Sequence, residues 1–109
     1  MKTAISAFLL AALLIPAAWA ADLPTYRVEL KDGKLDPANV KVKAGERFKL
    51  TVANTGSTPA EFESTDLRVE KVLAPGVTSF VVVHALKPGE YEYYDEFHLP
   101  DAKGTITAR

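Results

Sequence analysis

Turn signals recur at short intervals along this chain: Asp32-Gly33, Ala44-Gly45, Asn54-Thr55-Gly56, Pro75-Gly76 and Pro88-Gly89. Between them lie β-branched or aromatic runs, from Tyr26 to Leu30, Val40 to Val42, Phe48 to Val52, Val77 to Val83, Glu90 to Tyr94 and Thr105 to Thr107. Such side chains suit a pleated surface, and Gly, Asn and Asp suit the reversals between strands. Short strands at this spacing predict an all-β sandwich or small barrel. Alternation supports the strands, since Phe48, Leu50 and Val52 fall on one face, with Lys49 and Thr51 on the other. Phe80-Val81-Val82-Val83 is apolar on both faces and predicts a central strand. Between Leu67 and Leu73, Leu67 and Val69 alternate but Val72 breaks phase, so an irregular strand with a helical turn is expected there.

Residues 1–20 have the layout of a cleaved secretory signal peptide: Lys2 near the start, an apolar run from Ile5 to Ile15, Pro16, and the small-residue site Ala18-Trp19-Ala20. The run falls short of the roughly 20 apolar residues a membrane-spanning helix needs. An exported, periplasmic domain over residues 21–109 is the expectation, not embedded in the membrane. The full chain carries 13 basic and 14 acidic side chains, and that balance argues against a nucleic-acid partner, which calls for a basic face. There is no cysteine, and the one methionine is Met1. A small exported domain without disulfides must rely on packing or on a bound ion.

The end of the chain, GEYEYYDEFHLPDAKGTITAR, has an acidic loop with a histidine between two β-type runs. Asp95, Glu96, His98 and Asp101 share this loop, which makes it a candidate cation site. Two more acidic residues precede it in PAEFES. If that stretch is extended, Phe62 points to one face, and Glu61 and Glu63 to the other. Carboxylates with one imidazole suit ferric or ferrous iron, manganese or Cu(II), whereas Cu(I) prefers sulfur. Tyr91, Tyr93 and Tyr94 are expected mainly in packing, with a phenolate to a ferric ion as the other use. His84, after an apolar strand, is expected to have no metal role. Phe97 is expected to anchor the loop in the core.

The C-terminal layout resembles the ligand loop of cupredoxins, in which a G-x-Y-x-F-Y strand delivers Cys-x-x-His and then Met ahead of a final G-x-x-x-V strand. Asp95 stands at the cysteine position, His98 keeps the spacing of three, and Asp101 or Lys103 falls at the methionine position. LDPANVKVKAGERFKLTVANTG resembles the family's N-terminal half, and PAEFES lies where a histidine ligand is usual. The resemblance implies a Greek-key β-sandwich of cupredoxin type with hard ligands in place of a blue-copper site. A narrower resemblance, carried by PAEFES, V-L-A-P-G, KPGEY and D-x-F-H across residues 24–109, is to the cupredoxin-like domains of EfeO-type periplasmic iron-uptake proteins. It implies the stand-alone form that accompanies a membrane iron permease.

The expected function is therefore periplasmic metal binding that serves iron uptake. Its expected ligands are Glu61, Glu63, Asp95 and His98, with Glu96 and Asp101 behind them. A Cu(II)-handling protein with the same residues is the second reading, and an exported interaction module the third. Whether two protomers share the site as a homodimer stays open. No enzyme is expected: there is no G-x-S-x-G elbow or cysteine nucleophile, and Ser57, Ser64 and Ser79 lack a recognisable base partner.

Overall fold

The computed structural model describes residues 23–109; the expected signal peptide lies outside the described residues. Nine strands follow one another: β1 (Thr25–Lys31), β2 (Lys34–Asp36), β3 (Asn39–Val42), β4 (Phe48–Asn54), β5 (Ala60–Ser64), β6 (Val69–Leu73), β7 (Thr78–Val83), β8 (Gly89–Asp95) and β9 (Lys103–Ala108). A single turn of 3-10 helix, Glu96–His98, separates the last two. Asp32 and Gly33 both hold positive φ, 46° and 93°. This is the backbone of the two-residue hairpin that Asp-Gly favours, and it folds β2 back on β1.

The strands form a four-stranded sheet in the order β2-β1-β4-β7 and a five-stranded sheet in the order β3-β9-β8-β5-β6. The chain changes sheet after β2, β3, β4, β6 and β7, which gives the sandwich among the two forms that the turn spacing predicted, with the Greek-key arrangement that the cupredoxin resemblance implied. Val28, Leu30, Phe48, Leu50 and Val52 come from the first sheet and Val40, Phe62, Tyr93 and Ile106 from the second, and all are buried in one core. Each such side chain contributes about 1.5–3 kcal/mol when fully buried. Gly104 leaves room for the ring of Tyr93, since a Cβ there would stand 2.6 Å from Tyr93 Cζ. Tyr93 donates its hydroxyl to the carbonyl of Pro37 at 2.6 Å. Burial first, then the charge of Asp36, pushes its phenol up to about 12. It is a core residue.

Three expectations change. The run Phe80 to Val83 belongs to β7, an edge strand and not a central one: Val81 and Val83 are buried, while Phe80 and Val82 stay 49% and 42% exposed. On the outer face the Lys49 ammonium lies over the Phe80 ring, 4.4 Å from its centroid. Leu67 belongs to a turn ahead of β6, where its N–H donates to Ser64 Oγ at 3.2 Å and Arg68 takes φ 58°. Val72 breaks phase because it lies on the outer face of β6, 64% exposed, while Val69 and Leu73 turn inward; β6 itself is a regular strand. Phe97 is 51% exposed and does not enter the core, because the short helix has no buried residue.

Candidate metal centre

Alternation along β5 buries Ala60, Phe62 and Ser64 and leaves Glu61 and Glu63 on the outer face of the five-stranded sheet. β6 runs antiparallel beside it with Glu63 opposite Glu70 and Glu61 opposite Val72. Glu70 therefore shares the face of the two β5 glutamates. One carboxylate oxygen from each of Glu61, Glu63 and Glu70 lies within 4.8 Å of the other two. On the other side of β5, Tyr94 of β8 pairs with Glu63 and donates its hydroxyl to Glu63 Oε2 at 3.2 Å. The Thr65 hydroxyl lies 3.0 Å from the same phenol oxygen.

The charges on this face repel one another. Desolvation first, then the charge and hydrogen bond of Glu70, then the charges of Glu63 and Glu96, raise the carboxyl of Glu61 above its ordinary range. For Tyr94, the Thr65 hydrogen bond lowers the phenol, but burial, Glu63 and Glu96 outweigh it and raise it overall. Like charges directly opposite one another weaken a sheet. A cation placed among these oxygens would reverse that sign.

The inner face at the same end of the sandwich is built differently. Asp95 ends β8, is 0% exposed, and pairs with Phe62 across the sheet. Its Oδ1 accepts the N–H of Glu61 at 3.0 Å and of Phe97 at 3.1 Å, and its Oδ2 lies 2.6 Å from His98 Nδ1. His98 Nε2 lies 3.2 Å from Thr58 Oγ1, which donates to Asp32 Oδ1 at 2.8 Å. Asp32 also accepts the N–H of Ser57 and of Thr58, and these bonds, the Thr58 hydroxyl first, hold its carboxyl below the ordinary range. Gly56 permits this approach, since a Cβ there would meet Asp32 Oδ1 at 2.6 Å. Asn54 fixes the same loop from below: its amide donates to the carbonyls of Thr58 and Leu73 and accepts from the N–H of Gly56.

The expected ligands thus fall into separate places. Glu61 and Glu63 come together with each other, and the charge of Glu96 reaches Glu61. Asp95 and His98 bond to each other on the inner face. Asp101 faces neither group, since it lines an open groove with Glu29, Lys31, Asp36 and Lys103. His84 follows β7 and is exposed. Sequence reasoning missed Glu70, although reading Val69 to Leu73 as a regular strand hairpinned to β5 would have placed it across from Glu63. It also missed Thr58 and took Asp32 only as a turn residue.

A family model for the cupredoxin-like domain matches residues 3–108. An uncharacterised protein of Rickettsia prowazekii (strain Madrid E) is 36% identical over 80 residues, which cover 73% of this chain. The match spans 64% of that relative's length. Among solved structures, the auracyanin of the photosynthetic bacterium Roseiflexus castenholzii superposes with a TM-score of 0.67 at 17% identity, over 78% of this chain and 96% of that one. The metal-binding domain of the Cu(I)-exporting P-type ATPase CopA of Streptococcus pneumoniae gives 0.66 at 14% identity, over 78% and 84%. A purple cupredoxin of Nitrosopumilus maritimus gives 0.59 at 20% identity, over 76% and 98%.

A copper–thiolate centre does not fit the residues present. Such a centre requires a thiolate, whereas this chain has no cysteine, and Asp95, which the resemblance sets at the cysteine position, offers hard oxygens. Both of those oxygens are already engaged by protein donors. With its two-sheet Greek-key sandwich and a family match over nearly its whole length, the chain belongs to the cupredoxin-like domain family.

Proposed function

We propose that the protein is an exported, periplasmic metal carrier that binds iron on the outer face of the five-stranded sheet and delivers it to a membrane iron permease. The observation that carries this reading is the convergence of Glu61, Glu63 and Glu70 to within 4.8 Å. Neither ion pair among the described residues, Arg27 with Glu29 or His98 with Asp95, neutralises any of the three. Oxygen donors of this kind suit hard cations, and the Tyr94 phenol beside Glu63 is a donor that ferric iron accepts. The resemblance of PAEFES and the D-x-F-H loop to EfeO-type iron-uptake domains favours iron among those cations. The role is binding and transfer, not catalysis.

Cu(II) is the second reading, because carboxylates also hold that ion and the fold is shared with copper proteins. Calorimetric titration of the exported protein with ferrous iron and with Cu(II) separates the two. Saturable binding of iron in preference to other hard cations, weakened by Glu61→Gln and by Glu63→Gln, is the expected result. Wild-type affinity in both variants overturns the site, and preference for Cu(II) overturns iron. The same titration gives the number of ions per chain and thereby tests for a homodimer that shares one ion.

A further inference from the structure

β5 and β8 pair only at Phe62 with Asp95 and at Glu63 with Tyr94. One residue beyond the last rung, the N–H of Glu61 has no strand partner on that side, and the side chain of Asp95 takes it at 3.0 Å. A buried carboxylate on the inner face thus holds the backbone of a glutamate whose own side chain lies on the outer face. The same Oδ1 holds the N–H of Phe97, and Oδ2 is held by His98 Nδ1 at 2.6 Å. The far side of the imidazole meets Thr58 Oγ1, three residues ahead of Glu61. Thr58 is itself fixed to Asp32 by its backbone N–H and its hydroxyl.

Proton counting closes the chain. The single hydroxyl hydrogen of Thr58 goes to Asp32 Oδ1 at 2.8 Å, so the Thr58 oxygen accepts from His98, which puts a proton on Nε2. Nδ1 faces the Asp95 carboxylate, whose other oxygen already takes two N–H groups. Neither ring nitrogen has a lone pair directed at a cation, and no buried side-chain polar atom among the described residues lacks a partner.

We propose that Asp95 and His98 are positioning residues for the cation site and not ligands: Asp95 anchors Glu61 through its backbone so that its carboxylate meets those of Glu63 and Glu70, and His98 braces Asp95. This rests on the reading of the outer face as a cation site. Partners of metal ligands commonly set affinity without touching the ion. The inner pair thereby aims the outer cluster from the opposite face of one strand.

Nuclear magnetic resonance with Zn²⁺, a diamagnetic stand-in for ferrous iron, tests it. On saturation the side-chain carboxyl signals of Glu61, Glu63 and Glu70 move, while His98 Nε2 keeps its proton and its nitrogen signals stay away from the metal-bound position. Transfer of either His98 nitrogen to that position overturns the proposal. Asp95→Asn keeps an oxygen for Glu61 and Phe97 and offers an N–H to a neutral Nδ1, so it should bind Zn²⁺ as the wild-type protein does. Asp95→Ala removes the anchor and should weaken binding by about 10–100-fold with the stoichiometry kept. A loss in Asp95→Asn as large as in Asp95→Ala marks a charged ligand and overturns the proposal. Should Asp95→Ala fail to fold, the His98 signals of the wild-type protein and the affinity of Asp95→Asn decide alone. If wild-type protein takes up no Zn²⁺, ferrous iron or Cu(II), the cation reading falls and the positioning role falls with it. The Glu61 amide then still reports the anchor: a slowly exchanging proton that becomes labile in His98→Ala supports it, and one labile in wild-type protein overturns it.

Discussion

The two faces of β5 treat acidic residues in opposite ways. On the inner face, the Asp95 carboxylate has a donor for each oxygen and is wholly buried. On the outer face, Glu61, Glu63 and Glu70 crowd together, and among the described residues the side-chain donor from outside the cluster is Tyr94, to Glu63. A buried carboxylate with its donors holds structure together, whereas crowded like charges on a solvated face weaken it until something positive arrives. The separation teaches that sequence neighbours on a strand can belong to different devices.

The contrast breaks most directly at Asp95. Replacing it with Ala leaves the N–H groups of Glu61 and Phe97 and the ring of His98 without their acceptor. Removal of one partner from a buried pair costs about 3–5 kcal/mol. Urea denaturation should show that loss as a lower midpoint with little change in slope. A cost on the scale of an ordinary surface substitution, within about 0.5 kcal/mol, would remove the distinction between the faces.

A smaller loss is expected at Asn54, which is 1% exposed and ties the start of the Thr58 loop to β6. Asn54→Ala leaves the carbonyls of Thr58 and Leu73 and the N–H of Gly56 without their amide partner. Each buried group left unsatisfied costs about 1–3 kcal/mol, and the exposed Thr58 end of the loop recovers part by hydration. Thermal unfolding checks the sign and size. Stability unchanged from wild type would mean that the loop is held by Asp32 alone.

On the outer face the sign reverses. Glu70→Gln removes one of two like charges that stand directly opposite each other, and in metal-free protein should raise stability by about 0.2–1 kcal/mol. With a cation bound the same change should lower it, because a ligand has been lost. Melting with and without added iron measures both signs in one experiment. Equal stabilisation in both conditions would show that Glu70 takes no part in binding.

Much of this was legible in the sequence, and for identifiable reasons. Turn residues and period-2 runs are local features, so the β-sandwich, the inward Phe62 and the outward Glu61 and Glu63 follow from residues that neighbour one another in the chain. What was not legible depends on pairing between distant segments. Glu70 joins the cluster only through the β5–β6 register. Asp32 reaches Thr58 across 26 positions, and Asp95 reaches the Glu61 N–H across 34. The spacing of three between Asp95 and His98 fits two residues that bond to each other, but spacing says nothing about which face of the strand they occupy. Phe80 and Val82 misled because apolar residues on both faces of a strand also occur at an edge, where these two stay half-exposed and a lysine ammonium lies over the Phe80 ring.

The smallest effect expected is the pH dependence that Glu61 imposes. Its carboxyl titrates above the ordinary value of 4.5 in the folded protein, through desolvation first and then Glu70, Glu63 and Glu96. The folded chain therefore binds more protons than the unfolded chain between the ordinary value and the raised one, and stability falls as pH rises through that window. Below the window both states hold the proton and the penalty vanishes; above it the penalty is complete. Glu61→Gln carries no titrating group there. In metal-free protein the variant should match wild type in strong acid and become the more stable of the two as pH approaches neutrality. Parallel melting curves of both proteins from acid to neutral pH measure the difference, free of what the other carboxylates contribute to each. Bound iron should cancel the gain, since the charge that repels Glu70 and Glu63 is the one that holds the ion. A variant that instead loses stability as pH rises relative to wild type would mean that Glu61 is already paired in the free protein, and the outer face would no longer differ in kind from the inner one.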